Sequence, residues 1–210
     1  MNLELIQIIA TIVIAMLTTI IGPVALEWSK LYLKKAFSVD VNSKLKLEVN
    51  LNNLVDHEIT QILELTNVDR VWIAQFHNGG NFYPSKKSIQ KFSIFHEASR
   101  PGVSRIMPEF QNIPCSLFNK VFMELLHNDM IYVKDFANPD EFRFGLEYTV
   151  ENTGTKSIYM IPLIAAGGKM IGILSCELVL KKGKFTEDTR HLINEKGALI
   201  SGILTKYHSA

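Results

Sequence analysis

"SIYMIPLIAAGGKMIGILSCELVL", residues 157–180, is the stretch on which the fold turns. Two apolar runs, each short enough for a strand, meet at Ala166-Gly167-Gly168, residue types that let a chain reverse. Side chains alternate between faces along a strand, so Met170, Gly172, Leu174 and Cys176 share one face and Ile171, Ile173, Ser175 and Glu177 the other. The spacing predicts an antiparallel hairpin. Glu177 stands out within it, because a carboxylate in so apolar a strand needs solvent or a partner. It marks either a pocket face or a sheet edge.

Downstream, Thr186 reads as an N-cap, with Glu187 and Asp188 in the positively polarised first turn of a helix. That helix is expected to present Leu192, Leu199, Ile203 and Tyr207 on one side, with Ile193 and Ile200 beside them. Upstream, residues 136–156 read as a loop with room for one helical turn, and "MIYVKD", residues 130–135, as a short strand. Before it, Pro114 suits a helix's first turn, and Leu117, Phe118, Val121, Phe122 and Leu125 form an apolar stripe. Residues 98–113 hold Pro101-Gly102 and Pro108 and read as loop. Two more strands are expected at 70–76 and 92–97, separated by a turn-rich segment with Gly79, Gly80, Pro84 and Ser85. "KLKLEVNL", residues 44–51, alternates like a strand. Its leucines also continue a helical face into "LNNLVDHEITQILEL", so we expect a helix over about 48–65, with a start as early as residue 38.

The N-terminus differs from the rest. Residues 5–26 carry no charge, and 22 residues span ~33 Å as a helix, enough for a hydrocarbon layer of roughly 30 Å. A cleavable signal would carry a basic start, but this chain begins Met-Asn-Leu-Glu. A buried soluble helix is the other alternative, but such a helix is rarely apolar on every side, so a single span is the expectation. Lys30, Lys34 and Lys35 follow it, which places the C-terminal bulk in the cytoplasm of an inner or plasma membrane, and Trp28 and Tyr32 suit the interface. The domains expected are a transmembrane anchor (1–30), a juxtamembrane connector (31–47) and a cytoplasmic domain (48–210). A formal charge of +1 gives no basic excess for nucleic acid. Cys115 and Cys176 form neither a disulfide framework nor a CxxC site.

The element order is helix, strand, strand, helix, three strands, helix. With Ile161, Pro162, Leu163, Gly168, Ile171 and Gly172 in the hairpin, residues 48–207 resemble a GAF domain. The fold class expected is α+β: a GAF-like antiparallel sheet flanked by helices and preceded by one transmembrane helix. The resemblance implies a small ligand on the sheet face away from the terminal helices, and dimerisation through those helices. "NKVFMEL", residues 119–125, shares only two letters with the signature of cyclic-nucleotide-binding members, and Cys115 has no adjacent histidine of the kind that bilin-attaching members use. The sequence carries no kinase, cyclase or DNA-binding module, so the domain is expected to act through a partner. Its partners would be the bilayer, a second copy or a heterologous protein, and a small molecule. The alternative is a membrane-tethered structural or interaction subunit, fitting a viral origin, with no metabolite and no catalysis.

No metal set at HExxH spacing and no GxSxG motif is present, so neither metal ligands nor catalytic residues are assigned. His77-Asn78-Gly79-Gly80 ends an apolar strand, and could be a structural turn, a ligand contact or a catalytic corner. The ligand-binding candidates are His77, Asn78, Gly79, Gly80, Tyr83, Phe95, Glu97, Arg105, Tyr159 and Glu177. Aromatic residues would form walls, and His96, Glu97 or Arg105 polar anchors. The cofactor stays open.

Overall fold

The computed structural model describes residues 3–16, 19, 22–37, 41–81 and 84–209. Its contacts divide the chain into two units, Met1–Glu48 and Val49–Ala210. The first holds α1 (Leu3–Met16) and α2 (Gly22–Phe37). Residues 17, 18, 20 and 21 of the run 5–26 lie outside the described residues. Gly22 and Pro23 are the first described residues of α2. Among the described residues no helix is long and apolar enough to cross a membrane.

The second unit is built on one antiparallel sheet. Its strands are β1 (Arg70–Asn81), β2 (Ser88–Ser99), β3 (Ile113–Pro114), β4 (Ile131–Val133), β5 (Ser157–Ile164) and β6 (Met170–Leu178), in the order β3-β2-β1-β6-β5-β4. The helices are α3 (Val41–Leu65), which belongs to this unit from Val49 on, α4 (Asn119–Asn128), α5 (Glu147–Thr153) and α6 (Glu187–Ser209), with a 3-10 turn at Cys115–Phe118 leading into α4.

"KLKLEVNL" is helical, not strand, because α3 continues through it. Leu51, Val55, Ile59 and Ile62 follow at spacings of four, four and three, and all four are buried. With Ile193, Ile200 and Leu204 of α6, Val55, Ile59 and Ile62 cover one sheet face, formed by Val71, Ile73, Tyr159, Ile161, Leu174 and Cys176. Each wholly buried aliphatic side chain there contributes about 1.5–3 kcal/mol of transfer free energy. The other face carries Trp72, Ala74, Ile158, Met160 and Ile173 under α4, α5 and the long loops. Terminal helices on one face and the middle helix on the other is the arrangement that the element order predicts.

Local departures have local causes. The α6 stripe is Ile193, Ile200 and Leu204, and Leu199 is half-exposed, so the helix is rotated from the expected face. Thr186 does cap it, accepting the Thr189 amide at 3.2 Å. The loop 136–156 contains two turns of helix, α5. The 70–76 strand runs on to Asn81. Asn78 faces Gln90 and Asn81 faces Ser88, so three steps on β1 match two on β2. That bulge uses Gly80, at φ 95°, to absorb the extra residue inside the hairpin. The His77–Gly80 segment is thus strand and bulge, not a terminal turn.

Candidate functional site

The face under α4 and α5 encloses a cavity of about 30 Å³. Period-2 alternation brings its floor together: Trp72 from β1, Ile158 and Met160 from β5, and Ile173 and Glu177 from β6. Phe92 of β2 forms a wall. It meets Phe118 and Phe122 edge-to-face, with centroids at 5.4 and 5.9 Å. Ile106 and Phe110 of the 100–112 loop, Val121 of α4, and Leu146, Thr149, Val150 and Thr153 at α5 close the roof.

Glu177 is the one charged side chain in this lining. It sits on a central strand at 3 % exposure, opposite Arg70, which is at 0 %. Arg70 Nε donates to Glu177 Oε2 at 2.9 Å, and Nη2 donates to the same oxygen. The rest of the guanidinium is satisfied by the Ser104 carbonyl at 2.9 Å, the Thr155 hydroxyl at 2.9 Å and the Thr153 carbonyl at 3.3 Å. Thr155 in turn donates to Glu177 Oε2 at 2.7 Å, and the Trp72 indole N–H to Oε1 at 2.6 Å. A buried carboxylate is tolerable only with such a set, since removing two charges from water costs several kcal/mol per ion before pairing. The sheet-edge reading of Glu177 is excluded: it faces the pocket.

Glu97 and Arg105 also lie on this side. The Glu97 carboxylate is buried and accepts the Ile106 amide at 2.8 Å and the Met107 amide at 2.9 Å. Arg105 sits 3.8 Å from it and donates to the Glu97 carbonyl. Both anchor the loop that roofs the cavity, rather than lining it.

The other candidates fall elsewhere. Tyr159 is buried on the α3/α6 face, its hydroxyl near Asn194 and Met130 and its ring against Tyr132 and Phe185. His77 Nε2 pairs with Ser93 Oγ at 2.9 Å, and its ring is 6.3 Å from the half-exposed Phe95. Asn78 accepts from Gln90 across the hairpin. His77 and Asn78 border an open hollow of about 550 Å³ together with Lys169 and Thr205. Gly79 packs against the Lys91 stem, Gly80 makes the bulge, and Tyr83 lies outside the described residues. Among the described residues no three His, Cys, Asp or Glu side chains gather as a metal set. The structure thus joins only Glu177, Glu97 and Arg105 of the candidates around one cavity, and adds Arg70, Trp72, Thr155 and the phenylalanines. Arg70 was legible as the lone charge in an apolar strand, the same signal that marked Glu177.

The GAF domain family model matches residues 50–204. No curated protein matches the sequence. Among solved structures, the blue-light-absorbing form of the Thermosynechococcus elongatus PixJ GAF domain superposes with a TM-score of 0.60 at 14% identity, over 82% of this chain and 92% of that one. The phycoerythrobilin-bound GAF domain of a cyanobacterial phytochrome gives 0.60 at 16% identity, over 80% and 92%. The GAF domain region of a putative membrane protein from Geobacter sulfurreducens gives 0.58 at 16% identity, over 77% and 97%. At these identities the likeness is one of fold. The residues here do not fit a bilin. The cavity is far smaller than a four-ring chain, Phe92, Phe118 and Phe122 narrow it from its lining, and Cys176 is buried on the opposite face. Cys115 is half-buried, and burial raises its thiol pKa above the ordinary value against a backbone hydrogen bond that lowers it.

Proposed function

The chain belongs to the GAF domain family, and from that premise we propose that it is a small-ligand-binding signalling module that acts through a partner. The observation that carries this reading is the apolar cavity with Glu177 in its floor, roofed by a loop that Glu97 pins through two amides. An apolar enclosure with a few placed polar groups is the usual form of a small-molecule site. Chemistry on the ligand is not part of the proposal, and no residue is assigned a catalytic role. Native mass spectrometry of the gently purified chain is expected to find a retained small molecule that is lost on unfolding. A preparation with none, together with a flat thermal-shift screen, would overturn the reading.

The partner is proposed to meet the outer faces of α3 and α6, where Leu54 and Leu199 are each 49 % exposed. A second copy gives a homodimer, and a different protein gives the interaction-subunit reading, which these exposed leucines also favour. Light scattering and in-cell crosslinking separate the two, and a chain that stays monomeric and uncrosslinked would count against both. We further propose the single-pass topology, with 1–30 as anchor, 31–47 as connector and 48–210 in the cytoplasm. Its support is the uncharged run 5–26 followed by Lys30, Lys34 and Lys35. Recovery of the chain in the carbonate-soluble fraction of cell membranes would refute the anchor.

A further inference from the structure

We infer that the cavity takes a neutral molecule of one aromatic ring bearing a single hydrogen-bond donor, a compound of the phenol class, with that donor on Glu177 Oε1. This rests on the cavity being the ligand site, and specifies what the site selects.

Size comes first. About 30 Å³ is open to the centre of a water-sized sphere. A compact space of that extent, widened by one water radius, is on the order of 150 Å³, the size of a dry apolar cavity that holds one benzene ring. Two fused rings exceed it. Shape and surface agree, because Phe92 already meets Phe118 and Phe122 edge-to-face, and a flat ring beside them extends the same packing.

Charge is settled by the floor. Arg70 and Glu177 are a buried, closely matched pair, so their charges compensate within the cluster. A carboxylate or ammonium on the ligand would enter this apolar space without a counter-ion, which is strongly unfavourable.

The donor follows from lone-pair counting. Glu177 Oε2 already accepts from Arg70 Nε, Arg70 Nη2 and Thr155. Oε1 accepts only the Trp72 indole N–H. Each oxygen of an ionised carboxylate offers about two lone-pair sites, so Oε1, with one donor, retains acceptor capacity of its own and has no use for an acceptor on the ligand. Phe110, Phe118, Phe122, Thr149 and Thr153 line the cavity and are half-buried, which places the mouth on the side of α4, α5 and the 100–112 loop.

The test is titration of the purified full chain with phenol, toluene, benzoate and 1-naphthol, followed by calorimetry and by the NMR signal of the Trp72 indole N–H. Phenol is expected to bind roughly tenfold tighter than toluene, the effect of one hydrogen bond to a charged acceptor. It is also expected to shift the Trp72 signal, while benzoate and 1-naphthol leave it unmoved. Val150→Leu, which adds one methylene to the roof, is expected to weaken phenol at least tenfold, and Thr149→Met at the mouth to do so if Val150→Leu does not fold. Phenol binding no tighter than toluene, benzoate binding as well as phenol, or a Trp72 signal unmoved by any probe would each overturn the inference. If the probes fail while native mass spectrometry still finds a molecule that Val150→Leu or Thr149→Met expels, the class is wrong and the site stands. If nothing is retained either, the ligand-binding reading falls with it.

Discussion

Arg70→Met tests whether the charged cluster in the floor is the energetic centre of the second unit. Methionine keeps most of the side chain's volume but removes the guanidinium and its hydrogen bonds to Glu177, Ser104, Thr153 and Thr155. Glu177 is then left buried with only Trp72 and Thr155 as donors. Breaking a buried pair from one side costs about 3–5 kcal/mol, because the remaining charge is uncompensated. For a unit of this size, residues 49–210, each kcal/mol lowers Tm by about 2–4 °C, so the expected drop is roughly 6–20 °C. Glu177→Gln alone is destabilising for the mirrored reason: it leaves the Arg70 cation unpaired. The double variant buries no charge, and its loss is expected to fall short of the sum of the singles by at least ~2 kcal/mol. Urea and thermal denaturation followed by circular dichroism measure all three. An Arg70→Met loss under ~1 kcal/mol, or additivity within ~0.5 kcal/mol, would refute the argument.

Other consequences are local. Gly172→Ala places a Cβ 2.3 Å from the Ala74 carbonyl oxygen, which is held in the β1–β6 ladder, so a loss of ~3 kcal/mol or failure to fold is expected in a denaturation series. Glu97→Gln is expected to speed hydrogen exchange at the Ile106 and Met107 amides, at a cost of about 1.5–3 kcal/mol, while the Trp72 amide in β1 stays protected. The Lys182 hydrogen bond, then the Ala137 amide, holds Asp135 below its ordinary pKa. The stability this gives is present above the unfolded-state pKa and is lost as pH falls through the lower folded value. An NMR titration should therefore show the Asp135 midpoint rising in Lys182→Met. Maleimide at neutral pH is expected to label Cys115 slowly and Cys176 only after unfolding, since burial raises both thiols and Cys176 has the neighbouring Glu177 charge as well. Rapid labelling of Cys176 in the folded chain would contradict its position under α6.

The fold was legible wherever one period governed a segment. Residues 172–178 alternate so cleanly that the two faces of β6 are assigned correctly from the sequence, with Leu174 and Cys176 under the terminal helices and Ile173 and Glu177 over the cavity. Met170 packs on the cavity side and Ile171 on the helix side, the reverse of the expectation, where the β5–β6 register shifts between Leu163 and Ile164. Legibility failed where a small residue stood in for an apolar one. In α6 the buried line runs Ile193, Gly197, Ile200, Leu204, but Gly197 breaks it for a reader counting hydrophobic residues, and Leu199 looked the better member. Gly197 lies on that line because α6 approaches β5 there: a Cβ would be 2.5 Å from Ile161 Cδ1. The glycines after Asn78 misled in the opposite way. They suggested the end of a strand, whereas a bulge absorbs them and leaves the hairpin intact to Asn81.

The site depended on parity and register, which composition does not carry. Tyr159 and Ile158 are neighbours, yet one points to the helices and the other into the cavity, so an error of one residue moves a candidate to the wrong side of the sheet. Register was the larger obstacle. The apolar part of β1 contains one charge, Arg70, and β6 contains one charge, Glu177. An isolated ion in a central strand is too costly to keep. Antiparallel pairing of β1 with β6 sets the two directly opposite each other on one face, and each then supplies the other's counter-charge. That alignment joins residues 107 positions apart, which is why neither local pattern nor spacing pointed from Glu177 to Arg70. The same pairing brings Trp72 opposite Ser175, one pleat from Glu177, so its indole reaches the carboxylate. The floor of the cavity is therefore a product of strand order, fixed once β1 and β6 lie side by side.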